Sequence, residues 1–327
     1  MTNELKTREF HEPDGRWEAF GCPDYESYLK GYLVHGRFHR KVPKAITDAY
    51  LTIEYLMAHA YYHYPMYDEA LSKLLRTIEM ALKLRCKELN TPIEHEVKKK
   101  NGDIKLQKKE FNRLIEDLTK LEPNKELNHR LQIIRQLRNY LMHPEQNSYA
   151  GGMNRPGLIS GVNALNIIFA EEITFRLLKE KVAAYTSLLI PFNYNALILE
   201  KTGKPFLLHC IEIMEVFTCD KYEVVNLFMQ PVIIVKPSKE TEFAAPMVFN
   251  VKNISITNKE ISGIDASTNE PFRIYTTDHP ENIRAFELYK KHLSELNINN
   301  FNVYDAHINA EKGKASGLFR YKYYESL

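Results

Sequence analysis

The sequence predicts an α+β protein, with an N-terminal all-α helical bundle followed by a β-rich C-terminal domain. Three observations carry that expectation. From Pro43 to about residue 199, apolar residues recur at three- and four-residue spacing, the period of a helix with one buried face. After Pro191 the period gives way to short runs of Val, Ile and Phe, several bounded by Pro, Asn or Gly, as strands are. The chain has 327 residues, 44% hydrophobic and 26% charged. That is enough apolar material for about two domains and too much for wholesale disorder.

Each element has its own signal. Residues 1–42 form a leader containing Pro13, Gly15, Gly21, Pro23 and the single tryptophan, Trp17, and are expected to pack on the helical domain. The helical domain is expected to span 43–190. Pro43 stands where a helix can begin, and Ile46, Tyr50, Ile53, Leu56 and Met57 follow at helical spacing until Pro65 breaks the run. A second helix is written in Ala70, Leu71, Leu74, Leu75, Ile78, Ala81, Leu82 and Leu89, with Pro92 beyond its end. A lysine-rich turn surrounds Asn101-Gly102, and residues 108–120 and 125–142 read as two helices split by Pro123. Residues 148–152 form a loop in which Gly151 and Gly152 take conformations awkward for other residues. One long helix is expected over 160–189. In the domain at 191–327, strands are expected at 206–213, 224–228, 232–235, 248–256 and 272–276, with one late helix at 281–296 after Pro280. No motif assigns this half to a family; a sensing or regulatory role is the expectation for it.

Charge and cysteine content exclude several classes. Lys plus Arg is 44 and Asp plus Glu is 42, a formal charge of +2, so the chain is no strongly basic nucleic-acid wrapper. Any RNA contact must come from a local patch. Cys22, Cys86, Cys210 and Cys219 are scattered with no CxxC pair, which argues for reduced thiols over a zinc ribbon or a disulfide framework. The N-terminal stretch is polar, and the apolar stretch at 185–199 is interrupted by Pro191, Asn193 and Asn195. A cytoplasmic protein without a membrane span is expected.

The most informative stretch is Arg135-Gln-Leu-Arg138-Asn139-Tyr140-Leu141-Met142-His143-Pro144. On a helix, Arg135, Arg138, Asn139 and Met142 share one side, where an interior stripe would ordinarily be apolar. Pro144 pushes His143 away from helical dihedrals, so the helix should end there and let the imidazole swing back toward Arg138 and Asn139. The trio suits phosphodiester chemistry. Arg138 offers a fork of donors that matches phosphate oxygens. His143 can take or give a proton near neutral pH, and Asn139 can orient the imidazole or hold the phosphate. No carboxylate lies between Arg135 and His143, so the motif implies no metal and no other cofactor.

Arg138-Asn139-Tyr140-Leu141-Met142-His143 resembles the RN-xxx-H form of the R-x4-6-H motif of HEPN domains. The helix around 70–90, with its internal Glu79-Met-Ala-Leu-Lys83, is similar to the first core helix of that family, and the resemblance covers roughly residues 45–190. It implies a metal-independent endoribonuclease that cuts RNA through attack of the 2′-hydroxyl on the adjacent phosphate. It also implies a homodimer whose two motifs form one composite site, and a setting as a toxin or antiviral-defence effector. Carried over by position, Arg138 and His143 are the catalytic pair, Asn139 supports them and Glu79 is a further supporting residue; Arg135, on the same helix side as Arg138, is a supporting candidate by its position alone. A second reading is a HEPN-fold nucleotide- or RNA-binding scaffold that does not cut.

Lys98, Lys99, Lys100, Lys105, Lys108 and Lys109 face one acid, Asp103, within twelve residues around the Asn-Gly turn. They are expected to form a flexible arm that grips an RNA backbone by counterion release. His59 and His63 lie four apart, as do His35 and His39, but packing is the ordinary reading of the first pair. No P-loop, GxGxxG or nucleophile elbow is present.

Overall fold

The computed structural model describes residues 11–98, 103–121, 125–141, 150–219, 222–233, 244–296 and 298–326. The chain is mixed helix and strand and divides into two compact units, 1–172 and 173–327.

The first unit is helical. α1 (Tyr25–Tyr32) and a short 3-10 turn at Gly15–Phe20 lead into α2 (Lys44–His59) and α3 (Met66–Glu88). α2 buries Ile46, Tyr50, Ile53 and Met57, one residue per turn. α3 buries Ala70, Leu71, Leu74, Leu75, Ile78, Ala81 and Leu82, and it starts with Asp68 and Glu69 where the helix dipole favours carboxylates. α2 ends at His59, and His63 lies in the turn that follows, its backbone N–H donating to His59 O at 3.3 Å. His39 is buried; its backbone N–H donates to Asn166 Oδ1 (3.0 Å), which ties the leader to the core. Trp17 does the same at the other end of the leader. Its Nε1 donates to Ala60 O at 2.7 Å, and its ring lies within 6 Å of Phe20, Tyr28, Tyr32, Tyr64 and Tyr67.

Next come the antiparallel strands β1 (Glu94–Lys98) and β2 (Ile104–Lys108), then α4 (Phe111–Leu121), α5 (Lys125–Leu141) and α6 (Arg155–Phe169). α6 is buried along nearly its whole length, and Gly161 lets it press on α3: a Cβ there would sit 2.3 Å from Leu74 Cδ2.

The helix expected over 160–189 is two helices. Ala170 is extended (φ −79°, ψ 149°) and ends α6, and α7 (Glu172–Leu188) follows. The two differ in burial: α7 has no buried residue, whereas α6 is buried from Gly161 to its end at Phe169. α7 from Ile173 onward belongs to the second unit, where Val182 and Tyr185 pack on the strand core, so the boundary falls at 172 rather than 190.

The second unit is a closed barrel of six antiparallel strands in chain order: β3 (Leu197–Lys201), β4 (Lys204–Cys219), β5 (Tyr222–Pro231), β6 (Met247–Ile256), β7 (Glu260–Asp265) and β8 (Pro271–Thr276). β8 returns to pair with β3, Leu197 opposite Thr276, so no strand edge is left open. Leu199, Leu208, Val216, Leu227, Val251, Ile261 and Ile274 fill the interior. The strand expected at 232–235 is not formed at Val232 and Ile233, since β5 ends at Pro231. α8 (Pro280–Ser294) is the late helix, and a further helix, α9 (Ile298–Tyr323), covers the outer face of β4 and β5. Phe217 meets Phe319 (5.5 Å) and Tyr324 (5.2 Å) there. Among the described residues, no single helix is long and apolar enough to cross a membrane.

Candidate functional site

α5 buries Leu127, Leu131 and Ile134, spaced four and three apart. The next position on that line is Arg138. An arginine there is tolerated because α3 and α4 supply partners. Arg138 Nη2 donates to Glu79 Oε2 on α3 at 3.2 Å, and its guanidinium lies 5.4 Å from the centre of the Phe111 ring on α4. Glu79 is shared: Lys83, one turn further along α3, donates to its Oε1 at 2.6 Å. Among the described residues, two cations thus meet one carboxylate, and one positive charge is left over beside it. The Arg138 and Glu79 side chains keep 30% and 22% of their surface exposed, so solvent and solute reach the pair.

Arg135, one turn earlier, reaches α4 instead. Its Nη1 donates to Asn112 Oδ1 at 2.5 Å, while its Nε is buried with no partner among the described residues. Asn139 is exposed. Of the side expected to be shared, Arg135 and Arg138 therefore turn inward and Asn139 does not. His143 lies outside the described residues, as do Met142, Lys99 and Lys100. The structure thus brings Arg138 to Glu79. It adds Phe111, Asn112 and Lys83, of which the first two come from a separate helix and carry no local signal.

Beyond the motif the chain is pinned at Ala150–Gly152. Tyr64 Oη donates to Ala150 O at 2.9 Å, and Gly151 N donates to Asp68 Oδ1 at 2.9 Å. Gly151 has φ +46°, and a Cβ would lie 2.0 Å from the Tyr64 ring, so only glycine fits. Burial pushes the Asp68 carboxyl up from its usual value, opposed by the bonds it accepts from Gly151 N and Asn154.

The strands on either side of the Asn-Gly turn pair antiparallel, as that turn signal implies, in a register that places Lys108 opposite Glu94, Lys98 opposite Ile104 and Lys105 opposite Val97. Lys98 and Lys108 therefore share one face with Glu94 and Glu96, and Lys105 lies on the other. All three are exposed. Lys109 is committed elsewhere: it bonds Asp117 on α4 at 2.7 Å, and its side chain is only 14% exposed. Among the described residues, no three His, Cys, Asp or Glu side chains gather into a metal-holding group.

No known protein family matches this chain, and no characterised protein matches its sequence.

Proposed function

We propose that the helical unit is a metal-independent endoribonuclease of HEPN type that acts as a homodimer. The observation that carries this reading is Arg138. It interrupts the apolar line of α5, is held by Glu79 against Phe111, and keeps part of its guanidinium open to solution with a spare positive charge beside it. A phosphate entering there exchanges a carboxylate partner for a phosphoryl oxygen, to which an arginine fork donates in the same geometry. In the proposed reaction His143 moves the proton of the 2′-hydroxyl or of the leaving 5′-oxygen. Arg138 stabilises the charge that builds on the phosphorus centre. The products are a 2′,3′-cyclic phosphate and a 5′-hydroxyl, and DNA is not cut. The exposed Lys98, Lys105 and Lys108 of the hairpin add backbone contacts.

One observation favours the scaffold alternative. Arg138 already has a carboxylate, so a protein that only holds RNA or a partner would keep the same pair as structure. Incubation of the full chain with total RNA in EDTA, with mass spectrometry of the fragment ends, separates the two. Cyclic phosphate ends that disappear in His143→Ala and Arg138→Ala support the enzyme. Intact RNA, or 5′-phosphate ends, removes it. Light scattering of the active protein as a strict monomer at micromolar concentration removes the composite site.

A further inference from the structure

The barrel unit has a cleft of its own, of about 310 Å³, between the outer face of β4, the turn before β3 and α8. That volume is at the small end of the range for small-molecule pockets. Phe192, Ile211 and Phe286 wall it, and Tyr194 stands at its mouth. Three features of these residues are hard to account for by folding alone.

The first is His209. β4 shifts register between Leu208 and Cys210, so His209 is the extra residue of a bulge and its side chain is re-aimed out of the ladder. Its ring is fixed by Phe286 (5.9 Å) and Tyr289 (5.4 Å). Yet its Nδ1 is buried without a hydrogen-bond partner among the described residues. A buried polar atom left unpaired costs about 1–3 kcal/mol. Burial, with help from Lys290, holds the imidazole below its usual pKa, so it is neutral at pH 7 and offers one donor and one acceptor.

The second is Tyr194. It has φ +67°, a left-handed conformation that a side chain this large rarely adopts, and its ring is 89% exposed. The strained backbone therefore brings no burial in return. It does set a flat π-face at the cleft mouth. Neighbouring bonds hold it there: Asn193 N donates to Ile190 O (3.2 Å), and Asn195 Nδ2 to Pro191 O (2.9 Å).

The third is the rim. Lys290 lies 5.2 Å from the Phe286 ring, with Glu287 3.4 Å away. Glu212 is held by Lys312 at 2.7 Å. The charges balance, and the cleft favours a polar ring over a highly charged ligand.

We propose that this cleft binds a planar nitrogen heterocycle of the nucleobase class, stacked under Tyr194 and hydrogen-bonded at its edge to the His209 imidazole. An aromatic face and an edge atom are what a flat heterocycle with ring nitrogens satisfies together, and a plain hydrocarbon ring satisfies only the face. The site stands whether or not the helical unit cuts RNA. Free nucleosides and nucleoside monophosphates share this chemistry, and Lys290 distinguishes them.

The test is calorimetric titration of the full chain with adenosine, guanosine, cytidine and uridine, with their 5′-monophosphates, and with benzyl alcohol as a ring lacking nitrogen. At least one nucleoside should bind saturably, with benzyl alcohol at least about tenfold weaker. Tyr194→Asn accepts the left-handed backbone, so it should fold at least as stably while weakening binding about tenfold. His209→Phe fills the same space without the ring nitrogens and should weaken it by a similar factor. A monophosphate that binds tighter than its nucleoside, with the gain lost in Lys290→Ala, points to the phosphorylated form. Equal binding points to the free nucleoside. No saturable binding by any of the eight, or binding unchanged in Tyr194→Asn, overturns the proposal.

Discussion

Two arginine–glutamate pairs, one in each unit, join a helix to its neighbour, and they differ in how far water reaches them. Arg138–Glu79 joins α5 to α3 with side chains 30% and 22% exposed. Arg320–Glu215 joins α9 to β4 with side chains 14% and 11% exposed, through two bonds of 2.5 and 2.9 Å, while Ser316 Oγ donates to the same carboxylate. Burial lowers the Arg320 pKa from its ordinary value, the mark of a cation held away from water. The barrel pair is closed: both forks are filled, and nothing can exchange into it without unfolding α9. The helical pair makes one long contact and shares its carboxylate with Lys83. The same two residue types thus serve as a rivet in one unit and as a replaceable contact in the other, and accessibility makes the difference.

The comparison can be broken most directly at the rivet. Arg320→Ala leaves Glu215 buried without its cation and should cost about 3–5 kcal/mol, seen as a lower urea midpoint. Glu215→Leu combined with Arg320→Met should recover most of that loss, because an apolar pair replaces a buried ionic one. If Arg320→Ala unfolds no more easily than the wild type, the two pairs are alike and the distinction fails.

At the helical pair the effects should reverse. Arg138→Ala should change stability by no more than about 1 kcal/mol, as exposed pairs do. It should lower the proposed RNA cleavage by about 10²–10³. A large fall in melting temperature with unchanged cleavage would make Arg138 a second rivet.

A third pair joins a still more exposed arginine to a less exposed carboxylate. Asp14 accepts from Arg16 Nε at 2.8 Å and from Tyr64 N at 3.1 Å, tying the leader to the start of α3. The Arg16 side chain is about half exposed. The bond to Arg16, with smaller help from backbone N–H groups and against some burial, lowers the Asp14 pKa from 3.8 to about 2. A depressed carboxylate pKa adds stability that is present above the unfolded value and is lost as pH falls through the folded one. The window therefore runs from about pH 4 down to about pH 2. After discounting for solvent screening, Asp14→Asn should cost about 1 kcal/mol at pH 7. That cost should vanish by pH 2 in paired denaturation curves; a constant difference would assign the loss to packing.

The smallest effect is expected at the hairpin. Neutralising Lys98, Lys105 and Lys108 together should leave the melting temperature unchanged. It should flatten the slope of log RNA affinity against log salt by about two to three. Neutralising Lys109 should do the opposite, lowering stability through loss of Asp117 with little change in slope.

These contrasts also mark what the sequence could tell. α3 is legible because its apolar residues repeat over many turns, and Gly151 because a glycine pair stood in an apolar context. Arg138 could be named because it departs from an apolar stripe, and Glu79 only through the resemblance of its helix to a known family. Phe111 and Asn112 could not, since they reach Arg138 and Arg135 only through the packing of α4. α9 was missed for a different reason. Over 26 residues it buries only Ile308, Ala315, Phe319 and Tyr323, and it is fixed by Glu215, Glu212 and Gln230, ion pairs and hydrogen bonds that leave no periodic trace. The break after α6 carries no sequence signal because the apolar pattern runs on through it, although α6 is largely buried and α7 only lays the partly buried Val182 and Tyr185 on the barrel core. The lysine cluster was read by count, whereas the strand register decides which lysines share a face.

The pairing of β3 with β8 has a consequence in time. Leu197 cannot meet Thr276 until the intervening strands have been made. The helical unit is complete at residue 172, about 100 residues earlier. At a synthesis rate of about 5–20 residues per second, that interval is roughly 5–20 s. α9 comes later still, with Arg320 more than 100 residues beyond its partner Glu215. During each round of synthesis, then, the helices are free to fold while β3 and β4 still wait for the strands that will close around them.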